Sequence, residues 1–116
     1  MMNKRRHKRV PLAGSATIKV SSEKNPESIH AMTADISLSG IGIYSDKSVK
    51  ERVGLSIEIT FVSVEGVMRT AFIQGESVYV REIGGMYFIG IEFDEEINPA
   101  NQQLLHDHLQ KILSWS

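Results

Sequence analysis

The chain contains no cysteine. Disulfide scaffolds, thiolate zinc sites and cysteine nucleophiles are thereby excluded. No apolar run approaches the roughly 20 residues needed to span a bilayer. The segment "VPLAGSATIKV" follows a basic start but has no sustained apolar core of the kind a secretory signal needs, and its alternation reads better as a strand. The cytoplasm is the expected location, and no membrane insertion is expected. No internal repeat or low-complexity tract is present. One further absence is local: residues 1 to 12 hold no Asp or Glu, although Lys4, Arg5, Arg6, Lys8 and Arg9 crowd there.

That local absence hides inside a formal net charge of −1. Of 13 Lys and Arg, 5 lie in residues 1 to 12, so the remainder sets 8 against 14 acids, a net of −6. A polyanionic partner is therefore expected at the N-terminal segment, not on the acidic body. With 116 residues, 23% charged and 41% hydrophobic, the chain has the size and composition of one folded domain. We expect a basic N-terminal switch segment over 1–11 and the folded body over 12–116.

Most of the body alternates with period two, the mark of half-buried strands. Leu12, Ala16, Ile18 and Val20 share a face, and "SSEKNPES" then breaks the pattern. In a second strand, about Ile29 to Ser37, Met32, Ala34 and Ile36 are expected inward, with Thr33, Asp35 and Ser37 outward. "IGIYS" makes a short third strand, and Leu55, Ile57, Ile59 and Phe61 the inward face of a fourth. In a long segment over 67–82, Gly75 is expected to mark a bulge or bend. Gly84-Gly85 signals a hairpin into a last strand with Tyr87, Ile89, Ile91 and Phe93 inward. The period then becomes helical: Asn98 is a candidate N-cap, Pro99 suits the first turn, and Leu105, Leu109, Ile112 and Leu113 line one face of a helix over about 98–114. Six or so short strands and one helix predict a small antiparallel barrel or sandwich with the helix packed against it.

Catalytic and metal chemistry find little support. His106 and His108 are two apart, diverge around a helix and are expected to face solvent. Glu92, Asp94, Glu95 and Glu96 lack the spaced ligands and central glycine of a calcium loop. Gly40 and Gly42 begin a G-x-G with no third glycine, and no G-K-[ST] exists. Ser37 and Ser39 lack nucleophile-elbow glycines. Trp115 is expected to anchor a terminus. No enzyme, metal or resident cofactor is expected.

Two patterns remain. Arg5 to Arg9 forms R-x-x-x-R with Lys4 just before it, and Asp35-Ile36-Ser37-Leu38-Ser39-Gly40 forms D-x-S-x-x-G. Together they resemble the two signature motifs of PilZ domains, bacterial receptors for cyclic di-GMP. The order of "RVPL" before the first strand, D-x-S-x-x-G at a strand end, "FIGIEF" late and a closing helix is similar to that family over most of the chain. The resemblance implies a six-stranded antiparallel β-barrel with a C-terminal helix. It also implies that Lys4, Arg5, Arg6, Arg9, Asp35, Ser37 and Gly40 bind cyclic di-GMP.

The chemistry of the two motifs is coherent by itself. An arginine fork satisfies N7 and O6 of guanine, a contact carrying roughly 1–3 kcal/mol of base discrimination in nucleic acid complexes. A carboxylate accepts from guanine N1–H and N2–H, and further cations meet the phosphodiesters. Gly40 is expected to let the backbone turn and approach the ligand.

PilZ domains with arginine before R-x-x-x-R resemble those that take an intercalated ligand dimer, and those with an apolar residue there take one molecule. Lys4 departs from both, and its charge leans towards two. With no output domain in the chain, a downstream protein is expected to read the ligand-altered surface. The alternatives are a single-stranded nucleic acid binder with a basic arm, disfavoured because Tyr44, Tyr79 and Phe72 look scattered, and an adaptor that no longer binds nucleotide.

Overall fold

The computed structural model describes residues 7 to 114. Its elements in chain order are β1 (Val10–Pro11), β2 (Gly14–Val20), β3 (Ile29–Ile36), β4 (Gly40–Ser45), β5 (Gly54–Val62), β6 (Met68–Ile83), β7 (Met86–Phe93) and α1 (Gln103–Ser114). The sheet order is β1-β3-β2-β5-β6-β7-β4, and β3 also pairs with β4. That last pairing joins the ends of the sheet, so β2 to β7 form a closed, six-stranded antiparallel barrel with no free edge. The expected fold class is the observed one.

β1 is the lead-in to β2, displaced by a kink. Val10 and Pro11, assigned from the sequence to the basic segment, pair with Ile36 and Asp35. β2 takes over along β3 from Ser15 opposite Met32. Between the two pieces the Leu12 N–H donates to the Ala34 carbonyl at 3.2 Å. The Thr33 hydroxyl lies 2.7 Å from the Leu12 carbonyl and 2.9 Å from that of Gly14, which fixes the kink.

The core follows the alternation of the strands. Leu55, Ile57, Ile59 and Phe61 of β5 are buried, as are Ile89, Ile91 and Phe93 of β7, with Tyr87 packed partly against them. Each such side chain contributes about 1.5–3 kcal/mol when fully buried. β3 departs from the expected phase. Ile29 and Ala31 point inward while Met32 is 62% exposed, yet Ile36 is inward again. The cause is a bulge: Thr33 faces Ile43 and Asp35 faces Gly42, so Ala34 is an extra residue and the two-residue period flips across it.

Two further expectations are corrected. Gly75 sits in regular register, opposite both Leu55 and Phe93, where β6 passes from β5 to β7; the irregularity falls between Ser77 and Tyr79 instead. The helix begins at Gln103, not near Asn98. Asn98 caps a separate turn, its Oδ1 accepting from the N–H groups of Ala100 and Asn101 at 2.8 and 3.0 Å, while Asn101 Oδ1 accepts from the Asn98 N–H. Gly84 and Gly85 do make the β6–β7 hairpin, both with positive φ, 57° and 84°.

α1 seals the core with Leu105 and Leu109, both fully buried, and Ile97 is buried at its approach. His106 is half-buried and His108 is 6% exposed, so neither imidazole simply faces solvent. The His108 ring lies 5.0 Å from that of Phe61. The α1 face that buries Leu105 and Leu109 also carries position 108, which helical spacing alone did not separate from the outer face. Among the described residues, no helix is long and apolar enough to cross a membrane.

Candidate ligand-binding cleft

The outward residues of four adjacent strands build a cleft on the side of the barrel. Asp35 of β3 pairs with Gly42 of β4, Gly42 with Gly90 of β7, and Gly90 with Tyr79 of β6. All four line one cavity of about 600 Å³, within the range of small-molecule sites. The row spans three strand spacings, about 14 Å at roughly 4.8 Å each. Its two central positions carry no side chain. The cleft is thus a trough between Asp35 and Tyr79 with backbone as part of its floor.

Arg9 and Asp35 form one wall. Arg9 Nη1 donates to Asp35 Oδ1 at 2.9 Å, joining residues 26 positions apart. The adjoining β1–β3 pairing delivers Arg9 there, because Pro11 sits opposite Asp35 itself. A Cβ on Gly40 would lie only 2.4 Å from the Ile91 carbonyl oxygen, whereas Arg9 Nη2, at 3.5 Å, would be in ordinary contact with it. Gly40 is not in a left-handed conformation, so close approach of β4 to β7, not turn freedom, explains the glycine there.

Ser37 lines the cleft, but its side chain is only 1% exposed, contrary to the outward placement expected beside Asp35. β3 ends at Ile36, so strand alternation no longer governs Ser37. Its hydroxyl accepts from the Ser39 N–H at 3.1 Å and lies 3.2 Å from the Ser39 hydroxyl, and its own N–H donates to the Gly40 carbonyl. Ser37 shapes the turn that carries the cleft floor. Lys4, Arg5 and Arg6 lie outside the described residues.

Several lining residues carry no motif signature: His7, Gly42, Arg52, Tyr79, Phe88, Gly90 and Glu92. His7 Nε2 also lies 3.1 Å from Glu96 Oε2. A Cβ at Gly42 would come within 2.7 Å of the Phe88 ring and 2.9 Å of Asp35 Oδ1, so that ring leans over Gly42. The aromatics are not scattered as expected. Phe88 contacts Tyr44 at 5.1 Å and Tyr79 at 6.2 Å between ring centroids, both near edge-on, while Phe72 stands apart. A usable signal existed in "GIGIYS" and "FIGIEF": inward isoleucines on either side place Gly42 and Gly90 on the outer face, where glycine in a strand marks close approach. Nothing in the local sequence singles out Arg52.

This arrangement offers planar apolar surface from Phe88 and Tyr79, cationic donors from Arg9 and Arg52, and carboxylate acceptors from Asp35 and Glu92. It suits a ligand that is flat, rich in hydrogen-bonding edges and anionic. Among the described residues no cluster of three or more His, Cys, Asp or Glu could hold a metal.

The family model described as PilZ domain matches residues 3–111. Among solved structures, the Bacillus subtilis inhibitor of motility MotI/DgrA superposes with a TM-score of 0.73 at 17% identity, covering 97% of this chain and 53% of that one. The present chain therefore spans about half the length of that protein. The PilZ domain of YcgR from Escherichia coli, in a structure with c-di-GMP, superposes with a TM-score of 0.66 at 13% identity, covering 93% and 91% of the two chains. No curated protein matches in sequence.

Proposed function

Because the chain belongs to the PilZ domain family, a family of cyclic di-GMP receptors and not of known enzymes, we propose that it binds cyclic di-GMP in the cleft of Arg9 and Asp35. The observation that carries this reading is the 2.9 Å contact between Arg9 and Asp35, which brings the ends of two separate motifs together over a trough floored by glycines. An arginine fork and a carboxylate side by side match the acceptor and donor edges of guanine. Phe88 and Tyr79 supply surface on which a base can stack.

In this reading, ligand entry exchanges the Arg9–Asp35 contact for contacts to guanine. Lys4, Arg5 and Arg6 close over the phosphodiesters as charge-assisted donors. Ser37 acts through the turn it holds and Gly40 through the close approach of β4 to β7 that it permits. Ligand held beneath the basic segment would change the protein's surface, and a downstream protein would read that change in the bacterial cytoplasm. The positive charge of Lys4 favours an intercalated pair of ligand molecules, and binding stoichiometry tests it. Isothermal titration of the purified chain with cyclic di-GMP at tens of micromolar is expected to saturate. A flat titration would end the proposal.

A second reading gains something from the contiguous rings. The exposed Tyr44 and Tyr79 flank the half-buried Phe88, near Arg81, whose Nη1 lies 3.3 Å from the Tyr79 hydroxyl. That is the platform a single-stranded nucleic acid binder uses. The acceptors Asp35 and Glu92 in the same cleft oppose it. A gel shift with single strands, steeply salt-dependent and indifferent to Asp35→Ala, would favour this alternative.

A further inference from the structure

Arg52 is the sole non-glycine among the described residues with a positive φ, 67°. A side chain in this left-handed conformation brings its Cβ against the following carbonyl, and glycine avoids the clash. Arginine nevertheless occupies the position, and it lines the cleft. Strain held at a cleft is a reason to ask what the side chain does there.

The surrounding bonds show how the strain is held. The bulge at Val78, where Ser77 faces Ile91 and Tyr79 faces Gly90, takes β6 out of regular register beside the cleft. The loop before β5 binds to β6 at this point. The Arg52 N–H donates to the Ser77 carbonyl at 2.6 Å, and the Ser77 N–H donates to the Val53 carbonyl at 3.0 Å. The fully buried Ser77 hydroxyl donates to the Lys50 carbonyl at 2.6 Å and accepts from the Val53 N–H at 3.2 Å. Glu51 Oε2 accepts from the Val80 N–H at 3.1 Å. Residues 50 to 53 are therefore fastened along β6, while the Arg52 guanidinium has no ion-pair partner among the described residues.

We propose that Arg52 is a second anion-binding arm of the cleft, contacting a phosphodiester of the ligand from the β6 wall while Arg9 and Asp35 hold it from the β3 wall. The inference rests on the cyclic di-GMP reading above. A guanidinium carried on a fixed turn, with no carboxylate to satisfy it, is preorganised for an anionic oxygen. Arg9 differs, since Asp35 already occupies one of its donors.

The test is calorimetric titration of wild type, Asp35→Ala, Arg52→Gly and Arg52→Gln with cyclic di-GMP, alongside thermal melts. Arg52→Gly is expected to melt no lower than wild type, because glycine relieves the backbone, yet to bind about tenfold more weakly. Arg52→Gln keeps the backbone demand and should show the same loss of affinity, with a weaker salt dependence than wild type. A merely structural Arg52 would not separate melting from binding in this way. If Arg52→Gly melts lower, Arg52→Gln decides the contact by itself. Wild-type affinity in Arg52→Gln, with Asp35→Ala impaired, overturns the role of Arg52 and leaves the receptor reading standing. No binding by the wild type overturns both.

Discussion

The two walls of the cleft place a cation by opposite means. On the β3 wall the backbone is unstrained and the side chains are paired, Arg9 with Asp35. On the β6 wall the backbone is strained and pinned through Ser77, while the Arg52 side chain is left unpaired by the described residues. The first device is written in residue types and spacing, and the second in hydrogen bonds made to main-chain groups. A motif search finds one kind of wall and passes over the other.

Breaking the β3 wall should have the largest effect. Arg9→Ala and Asp35→Ala are each expected to weaken cyclic di-GMP binding by about 100-fold, since each removes a charge-assisted contact of roughly 1.5–3 kcal/mol. Both should still unfold cooperatively near the wild-type midpoint, because a partly exposed ion pair contributes only about 0–1 kcal/mol to stability. The double variant should lose less than the product of the two single losses, because Arg9 and Asp35 touch in the free protein and each single substitution leaves the other without that contact. Additive losses by titration would mean that the two residues do not act together.

The β6 wall should fail in stability first. Ser77→Ala strips the Lys50 carbonyl and the Val53 N–H of a buried partner. A loss of about 1–3 kcal/mol is expected in urea denaturation, together with weaker binding through a loosened Arg52 turn. Unchanged stability would show that the turn does not depend on the serine.

The glycines between the walls allow a finer distinction. In Gly40→Ala the new methyl meets the Ile91 carbonyl at 2.4 Å, backbone that cannot step aside, so a stability loss of about 1–3 kcal/mol is expected. In Gly42→Ala the methyl meets the Phe88 ring at 2.7 Å and Asp35 Oδ1 at 2.9 Å, side chains that can swing. That variant should lose less stability and about tenfold in affinity, through displaced Asp35 and Phe88. The reverse ranking in melts and titrations would contradict the strand geometry.

The smallest effect concerns a buried polar group outside both walls. The Ser77 hydroxyl both donates and accepts, whereas His108 Nδ1 is buried without a partner among the described residues. Burial holds the His108 pKa below its ordinary 6.5, opposed by the nearby Glu65 carboxylate and aided by Lys111. The unfolded chain therefore takes up the proton at higher pH than the folded one. This contribution to stability is full above about 6.5 and is lost as pH falls towards the folded-state value. His108→Leu should flatten that part of the dependence while changing stability little at neutral pH. Identical slopes for the two proteins in urea midpoints between pH 5 and 7 would remove His108 as its source.

Much of this was legible in the chain. The clean alternation of Leu55 to Phe61 and of Tyr87 to Phe93 marked strands whose inward faces the structure keeps, and Gly84-Gly85 marked a hairpin. Arg9 and Asp35 could be singled out because their chemistry lies in their side chains. Met32 was misplaced because a bulge at Ala34 resets the phase, and Ser37 because the strand stops one residue before it. His108 was misplaced because an imidazole fits either face of a helix, and contact with Phe61 decides which.

What is set locally could be read along the chain: the strand period, the hairpin, the closing helix and the residue types at the two motifs. Long-range pairing alone makes β3 meet β4 to close the barrel, puts bulges at Ala34 and Val78, and sets Gly42 and Gly90 side by side between Asp35 and Tyr79. The reason is physical. Hydrophobic alternation belongs to one strand, but register and bulges are settled between strands, when each main-chain group must find a partner that distant residues supply.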